Sequence, residues 1–339
     1  MSRTGRVTRD EVARIAGTST AVVSYVINNG PRPVSDSTRR KVLEAIEQTR
    51  YRPNGIAKAL AAGSSRTFGL VVPDISNPFF AAMAHAVEDE IFDAGMVLLL
   101  GDAAESKERE EEILSIFQQQ QVDGLLFIGT DNHPHVQTIA RSGIPVVVLD
   151  RVDEDDLAAS VVVDNVAGAT AATEHLIGHG YRGIAFIGGP EGLSTSTDRK
   201  AGFTRAMAAA GIAIEPEWML EADYSKAGGL DAGRRLLERS RRPRAVFAGN
   251  DQQAIGLLRV AYEAGIRVPD DLAVFTFDGT MDAEFSAPPL STIRQPIEEI
   301  AKNAVRLLLN PDASSSNRIT CQFELVLRRS CGCTQEKSR

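Results

Sequence analysis

The sequence predicts an all-α N-terminal helix-turn-helix domain followed by an α/β body of two lobes, each a doubly wound parallel sheet. Three observations carry this. Residues 1–66 are basic and space their apolar residues at helical intervals. From residue 67 onward, short Val-, Leu-, Ile- and Phe-rich runs alternate with amphipathic stretches, the signature of parallel strands covered by helices. The length, 339 residues, exceeds what one small core organises.

Composition narrows the class. Hydrophobic residues make up 43% and charged residues 24% of the chain, the balance of an ordinary soluble globular protein. No run of about 18 apolar residues suggests a membrane partner. The start, MSRTGRVTRDEVARIAG, lacks the apolar stretch of a secretory signal, and three cysteines do not form a disulfide framework. A cytoplasmic location is expected. The formal charge of −8 hides an asymmetry. Residues 1–66 hold 12 Lys and Arg against five Asp and Glu, a net of +7, and the rest hold 25 against 40, or −15. Attraction to phosphate needs only a local basic surface, so the acidic total does not exclude nucleic acid.

In the head (residues 1–52), Thr8 is placed to cap a helix whose first turn carries Asp10 and Glu11. Val12, Ile15 and Ala16 follow at helical spacing, and Gly17 breaks the helix. Ser19 can cap a second helix with Val23, Val26 and Ile27 inward and Thr20, Ala21, Ser24 and Tyr25 on other faces. Two short helices around a glycine turn make the helix-turn-helix pattern. A third helix from Ser35 should bury Val42, Leu43 and Ile46 and expose Arg39, Arg40 and Lys41. Residues 53–66 read as a short helical linker between Pro53 and Gly63.

The body repeats strand-like runs: FGLVVPD, MVLLLGD, GLLFIGT, PVVVLDR, VVVDN, IAFIGG, RAVFAGND and LAVFTFDG. Ligands of such sheets bind beyond the carboxyl ends of the strands. Those ends carry Asp74, Asp150 with Arg151, Asn250 with Asp251, and Asp278, while Phe79, Phe80, Tyr224 and Trp218 offer flat apolar surfaces. Carboxylates, an arginine and aromatic rings suit a polyhydroxylated ligand such as a sugar. Each Asp could instead cap a following helix, Asp251 above all.

Weaker signals read as structure. GGPEG lacks the full phosphate-binding fingerprint and reads as a turn. Cys321, Cys331 and Cys333 have no histidine near them in sequence, so no metal site is expected. The charged stretch ESKEREEEILSIF (residues 105–117) reads as a solvated helix face.

VTRDEVARIAGTSTAVVSYVINN, then VSDSTRRKVLEAIEQTRYRPNGIAKAL and GLVVPDISNPFF, closely resemble the LacI/GalR family of transcriptional repressors. The resemblance continues through IPVVVLDR, VVVDNVAGA, IAFIGGP, DRKAGF, AVFAGNDQQAIG, FTFDG and PPLSTIRQP, in order over residues 7–330. It implies that Thr20, Ala21 and Tyr25 reach base edges, and that Ser19, Ser24, Asn28, Ser35 and Thr38 meet phosphates. Tyr25 stands where many members carry Arg, and a phenol cannot reproduce the bidentate contact of Arg with guanine, so the preferred half-site stays open. Asn54 to Ala62, with Ala57 between them, match the family's hinge helix, and Leu60 matches a leucine wedged into a minor-groove step.

The same resemblance implies a periplasmic-binding-protein-like body with effector contacts at Asp150, Arg199, Tyr224, Asn250 and Asp278, and Phe79 and Phe80 near the pocket wall. It places lobe 1 at about residues 67–165 and 292–321, lobe 2 at 166–290 and 322–330, and a tail at 331–339, with crossovers near 163–166, 289–293 and 321–323. The implied protein is a homodimer on a pseudo-palindromic double-stranded operator, with a small-molecule effector, expected to be a sugar, and with no cofactor or catalytic residues. Residues 252–265 match a family dimer surface, although Leu257 and Leu258 could equally serve the core. No leucine heptad follows Arg329 to build a tetramer. A periplasmic sugar-binding protein would lack the basic head, and a Rossmann oxidoreductase would show a nucleotide fingerprint that is missing here.

Overall fold

In the computed structural model, Thr8 caps α1 (Arg9–Ala16), its hydroxyl accepting from the Glu11 amide at 3.3 Å. Gly17 ends that helix in the left-handed region at φ 64°, which a residue with a Cβ adopts only at a cost. Ser19 accepts from the Val22 amide at the start of α2 (Thr20–Asn28), and Ser35 accepts from Thr38 ahead of α3 (Asp36–Thr49). Val12, Ala13, Ala16, Val23, Val26, Val42, Ala45 and Tyr51 form the core of this bundle. One residue expected inside is outside: Leu43 is 53% exposed. Val42 and Ala45, three apart, turn inward together, and Leu43 lies about 100° further round the helix, off their face.

The structure describes residues 7–28, 32–52, 63–130, 143–152, 158–310, 318–333 and 337–338. The chain divides into two compact units, Met1–Ser65 and Arg66–Arg339. Among the described residues no helix is long and apolar enough to cross a membrane.

The second unit contains two sheets. The first has the order β11-β5-β4-β3-β1-β2 and is parallel throughout. Its strands are β1 (Thr67–Val72), β2 (Val97–Asp102), β3 (Gly124–Phe127), β4 (Val146–Leu149), β5 (Ala159–Val163) and β11 (Arg318–Cys321). Its helices are α4 (Pro78–Asp93), α5 (Lys107–Gln119) and α11 (Ile297–Leu309). Residues of α4 and α11 join one core, including Met83, Ile91, Ile300 and Leu308, and Leu114 and Phe117 of α5 join another. Two cores on one sheet are what double winding produces.

The second sheet, β13-β12-β10-β9-β8-β6-β7, is parallel from β7 to β10 and antiparallel at β12 and β13. It comprises β6 (Ile184–Gly188), β7 (Met219–Glu221), β8 (Ala245–Ala248), β9 (Ala273–Asp278), β10 (Ser291–Arg294), β12 (Glu324–Leu327) and β13 (Lys337–Ser338). Its helices are α6 (Asn165–Gly178), α7 (Ser194–Ala209), α8 (Lys226–Leu237), α9 (Asp251–Glu263) and the short α10 (Met281–Phe285). Leu176 and Phe203 belong to the core with α6 and α7; Leu236 and Leu257 belong to the core with α8 and α9. Leu257 is fully buried and Leu258 packs partly against the same core, so both serve it.

Among the described residues three passages join the lobes, after β5, β10 and β11. The second falls later than expected, because β10 pairs with β9 in the second sheet and the chain leaves only at Gln295–Pro296. Residues 291–294 therefore belong to lobe 2. The expected tail is also partly structured: Cys331 is buried, and Lys337 and Ser338 pair with β12.

Candidate functional site

Strand order reverses between β1 and β3 in one sheet and between β6 and β8 in the other. Crevices open outside the carboxyl ends of strands at such switch points. A cleft of about 590 Å³ lies there, lined by Asp74, Glu105, Lys107, Thr130 and Arg151 from lobe 1 and by residues 190–193 and 223–225 from lobe 2. Its volume is that of a small-ligand site. The GGPEG turn thus supplies Pro190, Glu191 and Gly192 to the wall.

A much tighter space of about 20 Å³ is lined by Asn77, Phe79, Phe80, Asp150, Arg151, Thr195, Arg199, Tyr224, Asn250 and Asp278. Arg151 and Tyr224 line both spaces. All seven residues singled out for an effector meet here, although they come from segments far apart in sequence. The space holds about one water molecule, so in this arrangement the polar cluster forms a constriction and the larger cleft offers the room.

Arg199, on the first turns of α7, is 3% exposed. Its Nε donates to Asn165 Oδ1 at 2.9 Å and its Nη1 to the Gly249 carbonyl at 2.7 Å. Nη2 lies 3.6 Å from Asp278 Oδ1, and the guanidinium sits 3.9 Å from the Phe277 ring centroid. Asp278 ends β9 at φ 105° and accepts from Gln295 Nε2 at 2.9 Å. Asp150, just past β4, is also in the left-handed region, at φ 61°. Such backbone in residues other than glycine is costly and concentrates at functional sites.

Electrostatics in the constriction are tense. Burial raises the Asp278 carboxyl well above its usual range; Arg199 opposes this, while Asp251 and Asp150 push the same way as burial. Burial likewise raises Asp150 against the pull of Arg199 and Arg151. It also raises the Tyr224 phenol. Asp251 is pushed up to about 6 by burial, with hydrogen bonds from Thr280 holding it back.

Several expectations change in detail. Asn250, not Asp251, caps α9, its Oδ1 accepting from Gln253 N at 2.9 Å. Its Nδ2 donates to the Tyr224 carbonyl. Asp251 instead accepts from the Thr280 amide and hydroxyl at 2.7 and 2.8 Å, which fastens the loop after β9. Trp218 lines neither space; it is buried in the second lobe's core with Arg241 over its ring. Glu110, on the helix expected to be solvated, is 1% exposed and accepts from the Thr130 amide at 2.7 Å. Sequence reading missed Glu105, Lys107, Thr130, Glu191 and Asp223. Glu105, Thr130, Glu191 and Asp223 lie on loops and Lys107 opens α5, and only the sheet order brings them to one cleft.

In the head, Thr20, Ala21 and Asn28 are exposed on α2, and Ser24 and Tyr25 are half-buried beside them. Val23 and Val26 hold the opposite side in the core. Ser19, Ser35 and Thr38 sit at helix N-termini, where free backbone amides favour phosphate. Asn54, Ala57 and Leu60 lie outside the described residues.

A small basic helix-turn-helix unit and a two-lobed α/β unit with a polar cleft define a DNA-binding regulator. Residues 8–54 match the profile described as bacterial regulatory proteins, lacI family, and residues 173–331 match the periplasmic binding protein-like domain. Catabolite control protein A of Priestia megaterium is 34% identical over 96% of this chain and 99% of its own length. The HTH-type transcriptional repressor PurR of Photobacterium profundum is 34% identical over 94% and 97%. Among solved structures, the Lac repressor dimer bound to operator and the anti-inducer ONPF matches with a TM-score of 0.85 and 27% identity over 96% and 99% of the two chains. A complex of the transcriptional regulator CelR with cellobiose matches with a TM-score of 0.72 and 31% identity over 96% and 100%. The chain belongs to the LacI family and is a DNA-binding transcriptional repressor, not an enzyme.

Proposed function

We propose that the repressor responds to a sugar held in the interlobe cleft and acts as a homodimer on a pseudo-palindromic operator. The lining of the larger space carries the reading. Asp74, Glu105, Glu191 and Asp223 offer carboxylate acceptors, with Lys107, Arg151 and the Thr130 hydroxyl among them. Hydroxyl-rich ligands donate to several carboxylates at once, whereas a planar base requires ring faces. Among the described residues, Tyr224 is the one aromatic residue lining that space, and Phe79 and Phe80 border only the constriction. The likeness to a regulator solved with cellobiose supports the same class.

Arg199, Asp150 and Asp278 then form the closing end of the site, and Asn250 holds the Tyr224 backbone from the cap of α9. The head supplies Thr20, Ala21 and Tyr25 to base edges and Ser19, Ser24, Asn28, Ser35 and Thr38 to phosphates, with Asn54, Ala57 and Leu60 in the hinge. Exposed apolar residues support the dimer: Tyr262 on α9 is 79% exposed, and Met281 and Phe285 on α10 are 73% and 76% exposed. Large exposed apolar side chains mark interaction surfaces when they group.

A thermal-shift screen tests the ligand class. Mono- and disaccharides, cellobiose included, are compared with nucleobases on the full-length repressor. A ligand at 100 times its Kd adds about 2.7 kcal/mol to stability, and it should also change operator affinity. A nucleobase that does both while no sugar does either would overturn the sugar assignment.

A further inference from the structure

At the other end of the second lobe from the cleft, two histidines and two cysteines converge. His175 and His179 stand one turn apart at the carboxyl end of α6, their rings 4.7 Å apart at 76°. Opposite them, the chain leaving β12 makes a short 3-10 turn, Arg329–Cys331, and Gly332 follows at φ 98°. That left-handed glycine turns the chain so that Cys333 returns beside Cys331. A Cβ on Gly332 would be strained by its φ and would stand 3.3 Å from the Tyr181 hydroxyl and 3.8 Å from His179 Nδ1. The sequence offered no hint of this meeting, because the two pairs lie more than 150 residues apart.

We propose that His175, His179, Cys331 and Cys333 form a tetrahedral site for a divalent ion of the zinc class, which clamps the segment after β12 to α6. The ligand atoms all lie within 4.8 Å of one another. His175 Nε2 is 3.2 Å from Cys331 Sγ and 3.6 Å from Cys333 Sγ, and His179 Nε2 is 3.4 Å from Cys333 Sγ. Zinc bonds of about 2.3 Å to sulfur and 2.0–2.1 Å to nitrogen, set at tetrahedral angles, separate nitrogen from sulfur by roughly 3.5 Å. The protein therefore presents its donors close to the edge length that the ion requires.

Donor chemistry selects the ion. Two thiolates and two imidazoles form the mixed soft and borderline set that takes zinc in preference to magnesium or calcium. Two thiolates also cancel a double positive charge, so the loaded site is neutral. The carboxyl end of α6, the negative end of the helix dipole, favours a cation beside it.

The surroundings hold the donors in place. The Ser291 hydroxyl lies 3.0 Å from Cys331 Sγ, placed to donate to a thiolate. Ser330 Oγ donates to the Val274 carbonyl at 2.7 Å and accepts from Ser291 N at 2.8 Å, fixing the turn to β9 and β10. The Phe275 ring flanks His175, with centroids 5.6 Å apart. Cys331 is fully buried, His175 and Cys333 are half-buried and His179 is exposed, so the site has an open side for entry. Binding would couple the end of the chain to lobe 2 and leave the cleft and the head untouched.

Cobalt(II) substitution tests this on the reduced, chelator-treated full-length protein. One Co(II) per chain should bind with a near-UV sulfur charge-transfer band and the strong visible absorption of tetrahedral cobalt, and one equivalent of Zn(II) should displace it. Cys333→Ser should lose the charge-transfer intensity of one sulfur and bind at least about a hundredfold more weakly; His179→Ala should weaken binding at least about tenfold. Operator affinity should stay unchanged in both variants. Absence of stoichiometric binding by folded wild-type protein would overturn the site. So would equal binding by Cys333→Ser, or a Cys331–Cys333 disulfide that persists in the reduced preparation.

Discussion

Removing the Arg199 side chain should unsettle the constricted end of the cleft, by an amount that depends on pH. Arg199→Ala deletes the hydrogen bonds to Asn165 Oδ1 and the Gly249 carbonyl and the stacking on Phe277. It also leaves Asp278, 4% exposed, without the cation 3.6 Å away. Breaking a buried pair by deleting one partner costs about 3–5 kcal/mol. Asp278 can escape part of this penalty by taking a proton, because burial and neighbouring carboxylates already raise it and Arg199 alone among its charged neighbours holds it down. The loss should thus be largest at pH 8 and shrink as the pH falls. Urea denaturation of wild type and variant at several pH values measures it. Asp278→Asn in the Arg199→Ala background should recover part of the loss, since the amide still accepts from Gln295 and carries no charge. A variant within about 1 kcal/mol of wild type at pH 8 would refute the reasoning, as would a double mutant no better than Arg199→Ala. Asp278→Asn alone should keep the fold and lose response to the sugar; calorimetry showing unchanged sugar affinity in it and in Arg199→Ala would remove both residues from the site.

Two further predictions follow from the lobes. Asp251 is raised from 3.8 to about 6, so its folded state holds a proton that the unfolded chain has lost. Stability from this group is full below pH ~4 and falls as pH rises through 6, by roughly 3 kcal/mol from about two pK units; the stability difference between Asp251→Asn and wild type, measured from pH 4 to 7, should move towards the variant by that order, and a flat difference would contradict the assignment. Gly229→Ala should destabilise the second lobe by about 1–3 kcal/mol in denaturant titrations although alanine favours helix by about 1 kcal/mol, because its Cβ would collide with the Gln253 backbone where α8 crosses α9; a stabilised variant would show that the helices can separate without loss.

The helical head was readable almost residue by residue. Caps at Thr8, Ser19 and Ser35 and the turn at Gly17 depend on neighbours within four positions, and helix-forming physics acts at that range. Its miss, Leu43, arose where several apolar residues competed for one face and packing of the three helices chose between them. Strand-rich runs of the body were readable because buried parallel strands are continuously apolar. The short β7, the late β10 and the pairing of β13 were not, since they owe their form to neighbours in the sheet.

Composition and local pattern by themselves determined a basic three-helix unit, a two-lobed parallel body, and polar residues at strand ends. Tertiary structure alone decided how those ends are used. It drew Arg199 onto Asn165 and Gly249, made Asn250 a cap, and opened the larger space beside residues that no period marks. It also set His175 3.2 Å from Cys331 across 156 positions. Sheet order and the antiparallel return of β12 beside β10 create that contact, and strand order is settled by packing of whole elements, a range at which neighbouring residues in sequence carry no information.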